Sequence, residues 1–129
     1  MEDSEAKRFE SAPGAAIVYL YRADLAGGTG SSVLWLDGRL IGESLPRTYF
    51  RVSVRPGKNL LTAYANDTGR LEFETKRGEV YFIGIVVSGD DAAYTSHFSV
   101  VSPENARTQI LRCCTLLETW KPGQTRWQL

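Results

Sequence analysis

The 129-residue chain holds one histidine, His97, so any nucleophile–imidazole–acid site would have to be built around it. Ser96 and Ser99 are the hydroxyls nearest to it in sequence. Residues 94–101 read as a strand, and on a strand Ser96 and His97 point to opposite faces. No nucleophile-elbow pattern is present, so His97 reads as a strand histidine that faces solvent or is satisfied by a hydrogen bond. Asp37, Asp67, Asp90 and Asp91 would gather at one end of a sandwich, where carboxylates bind calcium. Calcium needs about six to eight oxygens, and no acid-rich loop supplies them. Turn chemistry accounts for these aspartates instead, and neither a metal nor a cofactor is expected. Gly27-Gly28-Thr29-Gly30 lacks the Gly-Lys-Ser/Thr ending and the following helix of a phosphate loop. It reads as a flexible loop rimming a binding surface.

The aromatics are the better lead to a site. Trp35, Tyr49, Tyr64 and Tyr81 are spaced along strands, where an exposed set would stack on a sugar or a peptide. The competing reading is packing, since strand aromatics mostly fill cores. The expected binding set is Trp35, Tyr49 and Tyr64 with Gly28 at the loop. Cys113 and Cys114 are adjacent and cannot build a disulfide framework. Neighbouring Cα atoms lie about 3.8 Å apart and disulfides prefer about 4.4–6.8 Å. On a helix, neighbouring side chains also diverge by about 100°. Two unbonded thiols are therefore expected.

The elements that would carry these residues are strands. Between Val33 and Ala63 two apolar runs flank Asp37-Gly38, the strongest short hairpin signal, and a second turn follows at Pro56-Gly57. Strands are expected at 15–22, 32–36, 39–43, 47–54, 59–65, 70–76, 79–88 and 94–101. In 47–54, Phe50, Val52 and Val54 share one face, with Arg47, Tyr49, Arg51 and Ser53 on the other, which reads as a half-solvated strand. Ser102-Pro103-Glu104 then starts a helix, with Ser as N-cap and Pro at the first helical position. Its apolar stripe is Ala106, Ile110 and Leu117. Short strands at this spacing imply an all-β antiparallel β-sandwich, immunoglobulin-like or transthyretin-like, with one short C-terminal helix. Residues 1–14 read as a flexible arm, 15–118 as the sandwich domain with its helix, and 119–129 as a tail.

Composition narrows the function classes. Fifteen basic residues balance fifteen acidic ones, so no charge excess favours nucleic acid. No apolar run approaches the ~18–20 residues that span a bilayer. Met1 is followed by Glu-Asp-Ser-Glu-Ala, which lacks the basic and apolar regions of a signal peptide.

The order Tyr19-Leu20-Tyr21-Arg22, Val33-Leu34-Trp35-Leu36-Asp37-Gly38, Ile41-Gly42-Glu43, Tyr49-Phe50, Pro56-Gly57-Lys58 and Gly78 with Tyr81-Phe82 resembles an uncharacterised family of small β-rich bacterial proteins, many of them read as lipoproteins. The Asp-Gly hairpin with its later Pro-Gly also resembles PEGA domains, which are surface-associated β modules. Neither resemblance supplies catalytic residues. Together they imply a non-catalytic, tethered protein–protein interaction domain of the bacterial envelope, periplasmic or outer-membrane-associated. The partner would be an envelope protein or a cell-wall component, with the membrane reached only through a lipid anchor. No lipobox occurs in this sequence, so that implication depends on residues upstream of Met1. A cell-wall glycan or peptide binding module is the second reading, and a small hydrolase at His97 the last.

Overall fold

The computed structural model describes residues 2–23, 32–64, 69–90 and 93–120. Eight strands occur where the sequence places them: β1 (Ala16–Arg22), β2 (Val33–Leu36), β3 (Arg39–Glu43), β4 (Thr48–Val54), β5 (Gly57–Tyr64), β6 (Arg70–Thr75), β7 (Val80–Asp90) and β8 (Ala93–Val101). They form a sandwich. Sheet I has the order β8-β7-β1-β4 and sheet II the order β3-β2-β5-β6. An immunoglobulin arrangement would put the first, second, fourth and fifth strands together. Here β1 and β2 lie in different sheets and β1 runs parallel to β7, which leaves the transthyretin-like alternative.

β1 sits at the middle of sheet I, antiparallel to β4 on one side. Its seven residues are all buried because both of its faces are covered. This explains the near-continuous apolar run from Ala16 to Tyr21. Ala16, Val18 and Leu20 face sheet II and pack with Leu34, Leu36, Ile41, Phe50, Val52, Leu61, Ile83 and Ile85. Ile17, Tyr19 and Tyr21 face the other way, into a second cluster with Tyr49, Phe82, Ala106 and Ile110.

Helices and terminal segments cover that second face, and here the structure corrects several expectations. The segment read as a flexible arm begins with α1 (Glu2–Ala6) and sends Phe9, 8% exposed, into the second cluster. A sheet face carrying Tyr19, Tyr49 and Phe82 needs an apolar cover, and Phe9 supplies it from an otherwise polar stretch. The β4 face bearing Tyr49 is therefore covered, and Tyr49 is fully buried. The helix α2 (Pro103–Cys113) starts as expected. Ser102 accepts the Ala106 N–H with its carbonyl, but its hydroxyl makes no capping bond. Ala106 and Ile110 are the buried residues of α2.

The helix ends four residues before Leu117. The chain then forms a strand that the helical periodicity obscured, β9 (Thr115–Trp120), added parallel to β4 at the edge of sheet I. Leu117 lies there beside a bulge and is 38% exposed, so it is not part of the helical stripe. The domain thus continues through Trp120 rather than ending in a tail from residue 119. Cys113 and Cys114 form a vicinal disulfide with their Cα atoms 3.7 Å apart, which corrects the expectation of unbonded thiols. Only Cys113 is helical. Cys114 is extended (φ −126, ψ 148), so the helical divergence of neighbouring side chains does not hold at this junction.

Candidate functional site

Two turns and the lead-in to β1 meet at one end of the sandwich. The first turn has Asp37 at φ 53 and Gly38 at φ 80, the paired positive φ values of a type I′ hairpin. The second is Arg55-Pro56-Gly57, between β4 and β5, with Gly57 at φ 125. With Pro13, Gly14 and Ala15 they enclose a cleft of about 620 Å³, within the size range of small-ligand sites.

The cleft is braced by its own polar groups. Leu60 N–H donates to Asp37 Oδ1 at 2.8 Å, and Asn59 Nδ2 donates to Asp37 Oδ2 at 2.6 Å. Asn59 is 3% exposed; it also donates to Arg55 O at 3.2 Å and accepts from the Thr75 hydroxyl at 2.7 Å. Both turns and β6 are thereby tied to one buried amide. Each Asp37 oxygen holds a scaffold N–H.

The remaining charged lining is cationic. Half-buried Arg39 reaches from β3 to β4, where Nη2 donates to Ser53 O at 2.8 Å. Burial lowers the pKa of this guanidinium from its ordinary value, and Asp37 opposes that shift. Arg55 and Lys58 are exposed at the mouth and form no ion pair among the described residues. A second hollow of about 550 Å³ shares Asp37, Lys58 and Asn59 and extends to Phe73, Glu72 and Glu74. The main cleft is thus lined by three cations and one aspartate, and the acids Glu72 and Glu74 line the adjoining hollow.

Of the expected binding set, the structure describes the side chains of Tyr49 and Trp35, and it places them in different sheets. Tyr49 lies under the α1 segment, where its hydroxyl donates to Asp3 Oδ1 at 2.9 Å. Burial, then the Asp3 contact, raises its pKa well above that of an ordinary tyrosine. Trp35 is half-buried on β2, in the other sheet. Its neighbours Leu34 and Leu36 point into the core, so Trp35 faces outward. Tyr81 is half-buried and donates to Glu79 Oε2 at 2.8 Å. Gly28 and the Tyr64 side chain lie outside the described residues, as do Asp67 and Asp91. His97 is exposed on β8, paired with Val86, while Ser96 is buried and donates to Ser32 Oγ at 3.2 Å. Among the described residues no group of three or more His, Cys, Asp or Glu side chains stands close enough to hold a metal ion. Nor is any described helix long and apolar enough to cross a membrane.

Sequence reasoning missed the basic cleft. Its signal was local: Arg39 directly follows the Asp37-Gly38 turn, and Arg55 and Lys58 flank Pro56-Gly57. Those turns read only as scaffold.

The chain is similar to an uncharacterised protein of Haemophilus influenzae (strain ATCC 51907 / DSM 11121 / KW20 / Rd), 29% identical over 96 residues. The match covers 68% of this chain and 57% of the relative, so the chain spans little more than half the relative's length. No family model matches the chain. No solved structure matches it.

Proposed function

We propose that this chain is a non-catalytic binding domain of the bacterial envelope that holds a ligand or partner segment at the turn-lined cleft. The observation that carries this reading is the cleft itself, concave, rigidly braced through Asn59 and ringed by Arg39, Arg55 and Lys58. The described lining offers Ser53 as its one hydroxyl nucleophile and no histidine or cysteine to serve it, so binding suits it better than turnover. The envelope setting rests on the resemblance of the motif order to small lipoproteins and PEGA modules; the relative supports only that such chains occur in bacteria. A tethered interaction domain would present such a cleft on loops held by a rigid sandwich.

Two measurements test this. The gene, expressed with its native upstream sequence, should yield a processed product in the envelope fraction; recovery in the cytosol without processing would remove the envelope setting. Amide shifts recorded during addition of an envelope extract should concentrate at Asp37, Gly38, Gly57 and Lys58. Turnover of an ester, phosphate or glycoside that disappears in His97→Ala would end the non-catalytic reading.

A further inference from the structure

We infer that the cleft selects a carboxylate-bearing ligand, a short acidic peptide segment. This rests on the cleft being the binding site and adds the class of its occupant. The first argument is the balance of donors and acceptors. The Asp37 carboxylate, the natural acceptor in the lining, already holds the Leu60 and Asn59 N–H groups. The Asn59 carbonyl is taken by Thr75 and its amide nitrogen by Asp37 and Arg55 O. Ser53 O is taken by Arg39. At the mouth Arg55 and Lys58 only donate, and beside them the lining keeps the Ser53 hydroxyl, which can do either. A carboxylate only accepts, and so matches the two side chains of the lining that only donate.

Charge gives the second argument. The main cleft is lined by three cations and one braced aspartate, with Glu72 and Glu74 in the adjoining hollow, and an anion bound in the main cleft makes charge-assisted hydrogen bonds. The third is what the walls lack. No aromatic side chain lines the main cleft, so there is no stacking surface of the kind that holds sugar rings. Pro13 and Pro56 instead supply aliphatic wall, suited to the methylenes of glutamate-like side chains. The two basic groups at the mouth are not equivalent. Lys58 pairs in register with Glu74 on β6, which offsets its charge, so Arg55 should matter more.

The test is a titration of the whole chain, read by amide shifts, with acetyl-triglutamate amide as probe. Acetyl-triglutamine amide, a glucuronate trimer and inorganic phosphate are the comparison arms. The expected result is saturable shifts at Gly38, Gly57, Lys58 and Asn59 with triglutamate, weakening as salt is raised. Triglutamine should give none. Arg55→Gln should weaken binding roughly tenfold and Lys58→Gln less, while Arg112→Gln on α2 leaves it unchanged. Both mouth residues are exposed, so these variants keep the fold. Equal shifts from triglutamine would overturn the ligand class and leave the cleft as the site. Tighter binding of phosphate or glucuronate would overturn the peptide and keep the anion. Triglutamate shifts confined to the outer face of sheet I, or no shifts from any probe, would overturn the site along with the ligand.

Discussion

The two faces of sheet I are solved with different chemistry. The face toward sheet II is aliphatic: Val18, Leu20, Leu34, Leu36, Leu61, Ile83 and Ile85 meet there, and among the described residues Phe50 is its one buried ring. The opposite face is aromatic and hydroxylated. Tyr19 stacks between Tyr49 and Phe82, at centroid separations of 6.0 and 5.1 Å, and Phe9 meets Tyr19 and Phe82 edge-on. Each tyrosine hydroxyl there needs a partner once it is buried. Tyr19 donates to Ala6 O, Tyr21 to Gln109 and Tyr49 to Asp3. Arg51 donates to Tyr19 and to Glu10 O, and Arg107 lies 5.9 Å from the Phe9 and Phe82 ring centres. The difference teaches that an aliphatic face needs only a second apolar surface of matching volume. A tyrosine face needs particular acceptors at particular places, and this chain supplies them from α1 and α2.

The comparison can be broken most severely from the helix side. Ile110→Asp places an unpaired carboxylate among Ile17, Tyr19 and Phe82 and should cost roughly 3–5 kcal/mol in denaturant unfolding. A variant melting like the wild type would mean that α2 is not docked there. On the aliphatic face, Leu34→Ala should cost about 3 kcal/mol by cavity formation. Phe9→Ala should cost about 2 kcal/mol, less than a central core phenylalanine, because it frees one segment and not the sheet. Its signature is local: the Leu116 amide, held by Asp3 Oδ1 at 3.0 Å, should exchange faster while the Leu34 amide stays protected. Equal acceleration at both would show that the two faces unfold as one unit.

Smaller perturbations sharpen the contrast. Tyr49→Phe keeps the ring and removes one hydroxyl, for about 1 kcal/mol. The smallest effect is acid sensitivity. Desolvation pushes the Asp3 carboxyl up, but the Tyr49 hydroxyl, Lys7 and the Leu116 N–H outweigh it and hold it below its ordinary value. A carboxyl with a lowered native pKa stabilises the fold above its unfolded value, and that contribution is lost as pH falls through the native one. Docking of the first segment should therefore weaken below about pH 4, read as faster Leu116 exchange. Asp3→Asn should remove that pH dependence, and its persistence in the variant would assign it to another group.

Legibility followed the same division. All eight expected strands and the start of α2 are present, because aliphatic alternation and turn residues are local signals. The outer face was misread because Arg47, Tyr49, Arg51 and Ser53 look solvated along β4, and their cover lies far away in sequence. The helix was overextended because Ala106, Ile110 and Leu117 fit a helical period, although the chain straightens at Cys114. The cleft was invisible for a related reason. Arg39, Arg55 and Lys58 are ordinary surface residues until the two turns are brought to the same end by pairing of β2 with β5.

The bond between Asp3 and Leu116 spans 113 positions and joins the first element to the last. A ribosome releases the first of these residues long before it makes the second. During synthesis Phe9 and the tyrosine hydroxyls of β1 must wait without their final partners, while the β1–β4 pair and sheet II already have theirs within reach. The aliphatic side can form early, and the aromatic side closes last. A chaperone that binds exposed aromatic residues would meet this chain in that interval, with sheet I half covered and its beginning still loose.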